Sequence, residues 1–149
     1  PMGSDLNTTA APRFWVWATQ DPTGTPLDRI QIIKGWVENG EQRQRVWDVV
    51  CSNGRKPNES GKCPATTAGV DVSSCQRTGG EGARELEVTF SDPDFSAEYP
   101  AFYYARVLEN PTCRWTTVLA NSGNTELPDD VPAIVQERGW SSPIWSASR

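Results

Sequence analysis

The sequence contains no histidine in its 149 residues, and that gap removes a whole block of chemistry. Ser-His-Asp and Cys-His catalysis, imidazole ligation of metals and a histidine pH switch all need the missing ring. Positive charge is also scarce: 14 Lys and Arg against 19 Asp and Glu leave a net charge of −5. Nucleic-acid backbones and anionic membrane surfaces are gripped by clustered cations, so neither is expected as a partner. No apolar run approaches the roughly 18 residues that a helical membrane span requires, so no insertion is expected. The cysteines never form a C-x-x-C pair, which argues against a thioredoxin-like or zinc-ribbon site. No catalytic residue, resident metal or cofactor is therefore expected.

What the chain does have is cysteine and tryptophan. Cys51, Cys63, Cys75 and Cys113 allow three pairings. The polar, turn-rich segment 52–62 suits closure at its base, which favours Cys51–Cys63 together with Cys75–Cys113. Two disulfides imply an oxidising compartment, periplasmic or secreted.

Period-two alternation dominates the rest. Residues 14–19 are aromatic and β-branched and stop at Asp21-Pro-Thr-Gly24, a turn signal. Residues 27–37 set Ile30, Ile32 and Trp36 against Arg29, Gln31, Ile33 and Val37, and Asn39-Gly40 predicts a hairpin to a partner strand over 42–51. From 52 to 82 the composition is that of a loop, with room for one short strand at 70–72. Residues 84–90 oppose Leu86, Val88 and Phe90 to Glu85, Glu87 and Thr89, one face core and one face water. Residues 101–108 are apolar on both faces, as in a central strand, and 115–119 read as its continuation. A last edge strand over 137–145 tolerates Pro143, and one helical turn is expected at 129–136. Six or seven strands with minor helix predict an all-β fold, an antiparallel, immunoglobulin-like sandwich with long disulfide-pinned loops. Residues 1–11 open with Pro-Met-Gly-Ser, the composition of an expression remnant, and lack a hydrophobic period; they are read as a disordered segment outside a single domain at 12–149.

Seven tryptophans are many for this length. Most indoles pack in cores, but exposed ones stack on sugar rings, so a carbohydrate-binding module is the alternative function. Asp92 and Asp94 put two carboxylates on one loop, a weak calcium candidate with Asp71 or Glu98 as further ligands; a self-bonded turn is the plainer reading. Arg106, Arg114 and Arg138 sit in apolar contexts, where a guanidinium usually finds a carboxylate such as Glu109 or Glu137. With Trp115 and Trp140 they are expected to make one surface or a polar seam beside the last strands, an interface and not a catalytic site.

Four stretches then carry a resemblance: Asp28-Arg-Ile-Gln-Ile-Ile-Lys-Gly-Trp36, Asp92-Pro-Asp-Phe95, Ala101-Phe-Tyr-Tyr-Ala-Arg-Val-Leu-Glu-Asn-Pro-Thr-Cys-Arg-Trp115 and Gln136-Glu-Arg-Gly-Trp-Ser-Ser-Pro-Ile-Trp145. In order and spacing they resemble the C-terminal part of the bacterial family known as domain of unknown function 3604, over 14–145. Full-length members are several times longer and look like relatives of the polymerase-and-histidinol-phosphatase metal-dependent phosphoesterases, whose metals sit in a histidine- and aspartate-rich barrel. A chain without histidine has no such barrel, so hydrolysis does not carry over to it. The cysteine pattern resembles the exported Gram-negative branch. The resemblance implies a non-catalytic accessory domain, the C-terminal fragment of a larger exported protein, whose partner is the missing N-terminal domain of the same polypeptide.

Overall fold

The computed structural model describes residues 1–147, so the last two positions of the expected domain lie outside the described residues. In chain order the elements are β1 (Asp5–Asn7), β2 (Arg13–Thr19), β3 (Leu27–Glu38), β4 (Glu41–Cys51), β5 (Gly69–Val70), β6 (Arg77–Thr78), β7 (Glu85–Ser91), β8 (Ala101–Glu109), β9 (Thr112–Cys113), α1 (Trp115–Gly123), β10 (Ile134–Val135), β11 (Arg138–Trp140) and β12 (Ile144–Ala147). Strand takes 44% of the chain and helix 6%, so the class is all-β with minor helix.

Six strands form the main sheet, in the order β1-β12-β8-β3-β4, with β11 also on β8. The hairpin joining β3 and β4 turns where the sequence predicts, with Asn39 at φ 52° and Gly40 at φ 81°, the pair of positive angles that a two-residue turn compatible with strand twist requires. The two-sided apolar pattern of β8 makes it the central strand: β3 lies on one edge, and β11 and β12 share the other. A second layer consists of the antiparallel ribbon β2–β7. Its inward residues meet the main sheet in one core, where Phe14 lies 4.8 Å from Tyr103 and Phe90 lies 5.3 Å from Trp47 between ring centroids. Ile30, Ile32 and Leu86 complete that core. A six-plus-two division leaves one layer much smaller than the other and has no immunoglobulin-type split into two comparable sheets.

Both expected disulfides form, Cys51–Cys63 and Cys75–Cys113. The loop 52–62 is further clamped by Arg55, which donates to Ser52 O, to Pro64 O and to the Asp28 carboxylate.

Five expectations are corrected. Asp5–Asn7 is not outside the fold; it pairs in parallel with β12, because β12 is an edge strand with a row of unpaired backbone groups to offer. The main sheet is therefore mixed, not wholly antiparallel. Residues 115–119 do not extend β8: their apolar positions 115, 118 and 119 follow helical spacing, and they begin α1. No helical turn forms at 129–136, where Val131 N closes a single turn onto Pro128 O at 3.0 Å before β10. The strand expected over 137–145 is split into β11 and β12 around Pro143, which lacks the N–H that an unbroken ladder would use.

Candidate docking surface

The expected interface residues fall into two groups. On β8 and β11, Arg106 and Trp140 are cross-strand partners, as are Leu108 and Arg138. Arg106 does not find a carboxylate: its Nε donates to Gln31 Oε1 at 2.7 Å, because β3 sets Gln31 directly beside it while Trp140 occupies its other side. Glu109 serves the fold. Its Oε2 accepts from Thr25 N at 2.9 Å and Thr25 Oγ1 at 3.0 Å, and its backbone N–H donates to Glu137 O at 3.0 Å. Glu137, Arg138 and Trp140 are exposed. Among the described residues no ion pair joins the three arginines to Glu109 or Glu137; Arg106 takes an amide partner instead, and the buried Nε of Arg114 has no hydrogen-bond partner.

The second group lies at α1. Arg114 precedes the helix: its N–H donates to Ala133 O at 2.9 Å, and its carbonyl accepts from Thr117 N at 2.9 Å and Val118 N at 3.2 Å. The helix is fastened by polar groups. Thr117 Oγ1 donates to Ala133 O at 2.8 Å, Asn121 Nδ2 donates to Val72 O at 2.8 Å, and the Cys75–Cys113 bridge holds the strand just before it. Thr117 and Ala120 are its buried residues. Its apolar residues point the other way, with Trp115 67%, Val118 45% and Leu119 60% exposed. Positions i, i+3 and i+4 share one helical face, so the apolar stripe of α1 faces water, the reverse of an ordinary surface helix. Ile134, on β10 beside Cys113, is also exposed. Val118, Leu119 and Ile134 were not foreseen; the 115-118-119 spacing was the signal that marks a helix face.

A second constellation has no local signal in the sequence. Asp28, fully buried, accepts from Arg29 and from Arg55 Nη2. Asp48 accepts from Gln31 Nε2 at 2.5 Å and from Cys63 N at 2.7 Å. Lys34 Nζ, also buried, donates to Asp92 Oδ2 at 2.6 Å and to Asp94 O at 2.8 Å, and Tyr103 OH donates to the same Asp92 oxygen at 2.7 Å. The remaining Asp92 oxygen accepts from Asp94 N at 2.8 Å. That geometry overturns the calcium candidate at Asp92 and Asp94, because an ammonium already sits where a cation would. Asp71 is likewise engaged in its own turn with Ser73. Among the described residues, no three or more Cys, Asp or Glu side chains converge as metal ligands would. These buried carboxylates are matched to donors and tie strands to loops.

A family profile described as "Protein of unknown function (DUF3604)" matches residues 1–148. The chain belongs to DUF3604. No curated protein and no solved structure matches it. The DUF3604 match spans the strand β1 as well as the four stretches that carry the resemblance, three of which supply the buried polar residues Asp28, Lys34, Asp92 and Tyr103, while Asp48 lies outside them. Among the described residues no helix is long and apolar enough to cross a membrane.

Proposed function

We propose that this chain is a non-catalytic accessory domain, the C-terminal part of a larger protein exported to the periplasm or beyond, and that it docks on a metal-dependent phosphoesterase-like domain of the same polypeptide. One observation carries the reading: α1 is fastened by hydrogen bonds and a disulfide on one side while Trp115, Val118 and Leu119 stand uncovered on the other. A clustered aliphatic and indole face of this kind is costly in water and is the usual core of a protein interface. The two disulfides support an oxidising compartment, and the family resemblance supports the identity of the partner domain.

The test uses Trp115→Glu and Leu119→Glu. In the isolated chain both leave stability within about 0.5 kcal/mol, since neither side chain is buried. In the parent protein each is expected to uncouple this domain, seen as a separate thermal transition and faster proteolysis. A parent variant that melts as one unit, unchanged, overturns the reading. The isolated chain is expected to turn over no phosphate ester, and turnover by it would equally defeat the proposal.

A further inference from the structure

The ribbon β2–β7 has an outer face that the core does not use, and its chemistry differs from that of α1. Alternation along β2 sends Phe14, Val16 and Ala18 inward and leaves Trp15 and Trp17 outward, 65% and 55% exposed. Two residues apart on one strand, their Cα atoms are separated by about 7 Å along a straight line. Across the ribbon, Trp15 is paired with Thr89 and Trp17 with Glu87, while Arg13 faces Ser91 and Thr19 faces Glu85; all six of these neighbours are exposed. Glu85, Glu87 and Arg13 make no ion pair among the described residues. A cleft of about 410 Å³ along β2, lined by Phe14, Val16, Ile32, Tyr103 and Ile144 as well as by Trp15 and Trp17, opens on the core side of the ribbon and is separate from this outer face.

We infer that Trp15 and Trp17 form a binding platform for an extended, uncharged glycan. Indole faces stack on the C–H faces of sugar rings, and a straight pair on a rigid ribbon matches a straight chain of rings. The hydroxyls of Thr89 and Ser91 and the carboxylate of Glu87 stand where sugar hydroxyls need donors and acceptors. The core of a protein interface is depleted in serine and acidic side chains, whereas here Trp17 faces Glu87, Trp15 faces Thr89, and Glu85 and Ser91 lie at the two ends of the same face. Glu85 and Glu87 against Arg13 give the face a net negative charge, which repels uronic-acid polymers and selects neutral ones. This site is independent of the docking surface at α1.

The test is titration of the whole chain with cellohexaose, xylohexaose, mannohexaose and chitohexaose, followed by tryptophan fluorescence and by affinity electrophoresis in the matching soluble polysaccharides. At least one neutral hexasaccharide is expected to bind. Trp15→Ala and Trp17→Ala are each expected to weaken it by roughly three- to tenfold, with the double variant losing binding and Trp140→Ala changing nothing. Because both indoles are exposed, the variants retain the fold, which circular dichroism verifies. Failure of all four sugars to bind at millimolar concentration, undiminished binding by the double variant, or a preference for polygalacturonate each overturns the proposal.

Discussion

Gly35 shows how tightly one position is specified. A Cβ added there would lie 2.3 Å from the Phe102 ring, so the aromatic side chain rests on bare backbone. Gly35→Ala is expected to destabilise by about 1–3 kcal/mol through overpacking, measured by urea unfolding of the whole chain. Lys34 is specified by charge instead of space. Among the described residues its ammonium is the only cation bonded to Asp92, and Lys34→Met leaves a buried carboxylate without it, a loss of about 3–5 kcal/mol. Removing all three polar members at once, with Lys34→Met, Asp92→Leu and Tyr103→Phe, is expected to recover most of that loss, because no charge or phenol is then stranded. If the triple variant is as unstable as the single one, the cost lies in packing and not in the uncompensated charge. Both side chains were legible in the sequence as residue types. Their roles were not, since Lys34 and Asp92 are 58 positions apart and no local pattern joins them.

The helix α1 replaces an expected strand: its apolar residues already follow helical spacing, and tertiary context explains why so short a helix persists. A nine-residue helix is too short to stand by itself in water, so its existence depends on what fastens it. Cys75–Cys113 closes a loop with a sequence separation of 38. Cys75→Ser with Cys113→Ser is expected to cost about 4 kcal/mol by the chain-entropy relation and, more diagnostically, to raise amide exchange in α1 well above that in β3 and β8. Equal protection in α1 before and after the change would mean that the hydrogen bonds of Thr117 and Asn121 suffice alone. The Cys51–Cys63 loop should be less sensitive locally, because Arg55 bonds it to Asp28 and Ser52 independently of sulfur. By contrast β3 and β4 were legible in their extent and turn, and β7 in its faces as well. The alternation of β7 is a local property that survives any tertiary arrangement with one core face, and Leu86, Val88 and Phe90 are turned inward as that pattern requires, whereas β3 is buried on both faces and shifts register at Ile30 and Gln31.

Taken as a molecule, the domain has a buried junction between its two layers that includes Tyr103 and Asp92, and alkali is the condition that attacks it. Burial, reinforced by the hydrogen bond to the Asp92 carboxylate, holds the Tyr103 phenol above its ordinary value of 10.0. The unfolded chain releases this proton near pH 10 while the folded chain retains it. The contribution is therefore complete below pH 10 and is lost as pH climbs above that value. Melting temperature against pH is expected to fall more steeply above pH 10 for the unaltered chain than for Tyr103→Phe, although the variant is less stable at neutral pH; parallel curves would place the alkaline sensitivity elsewhere. The sequence by itself determined the all-β class, the hairpin at Asn39-Gly40 and the want of histidine chemistry, because each follows from composition or from neighbours within a few residues; the disulfide pairing it favoured joins residues up to 38 apart and is fixed by the fold. Only the tertiary structure decided that 5–7 joins β12, that Asp92 holds a lysine and not a metal, and which tryptophans face water. Those outcomes depend on which distant strands share an edge or a face, and alternation along one strand leaves that undetermined.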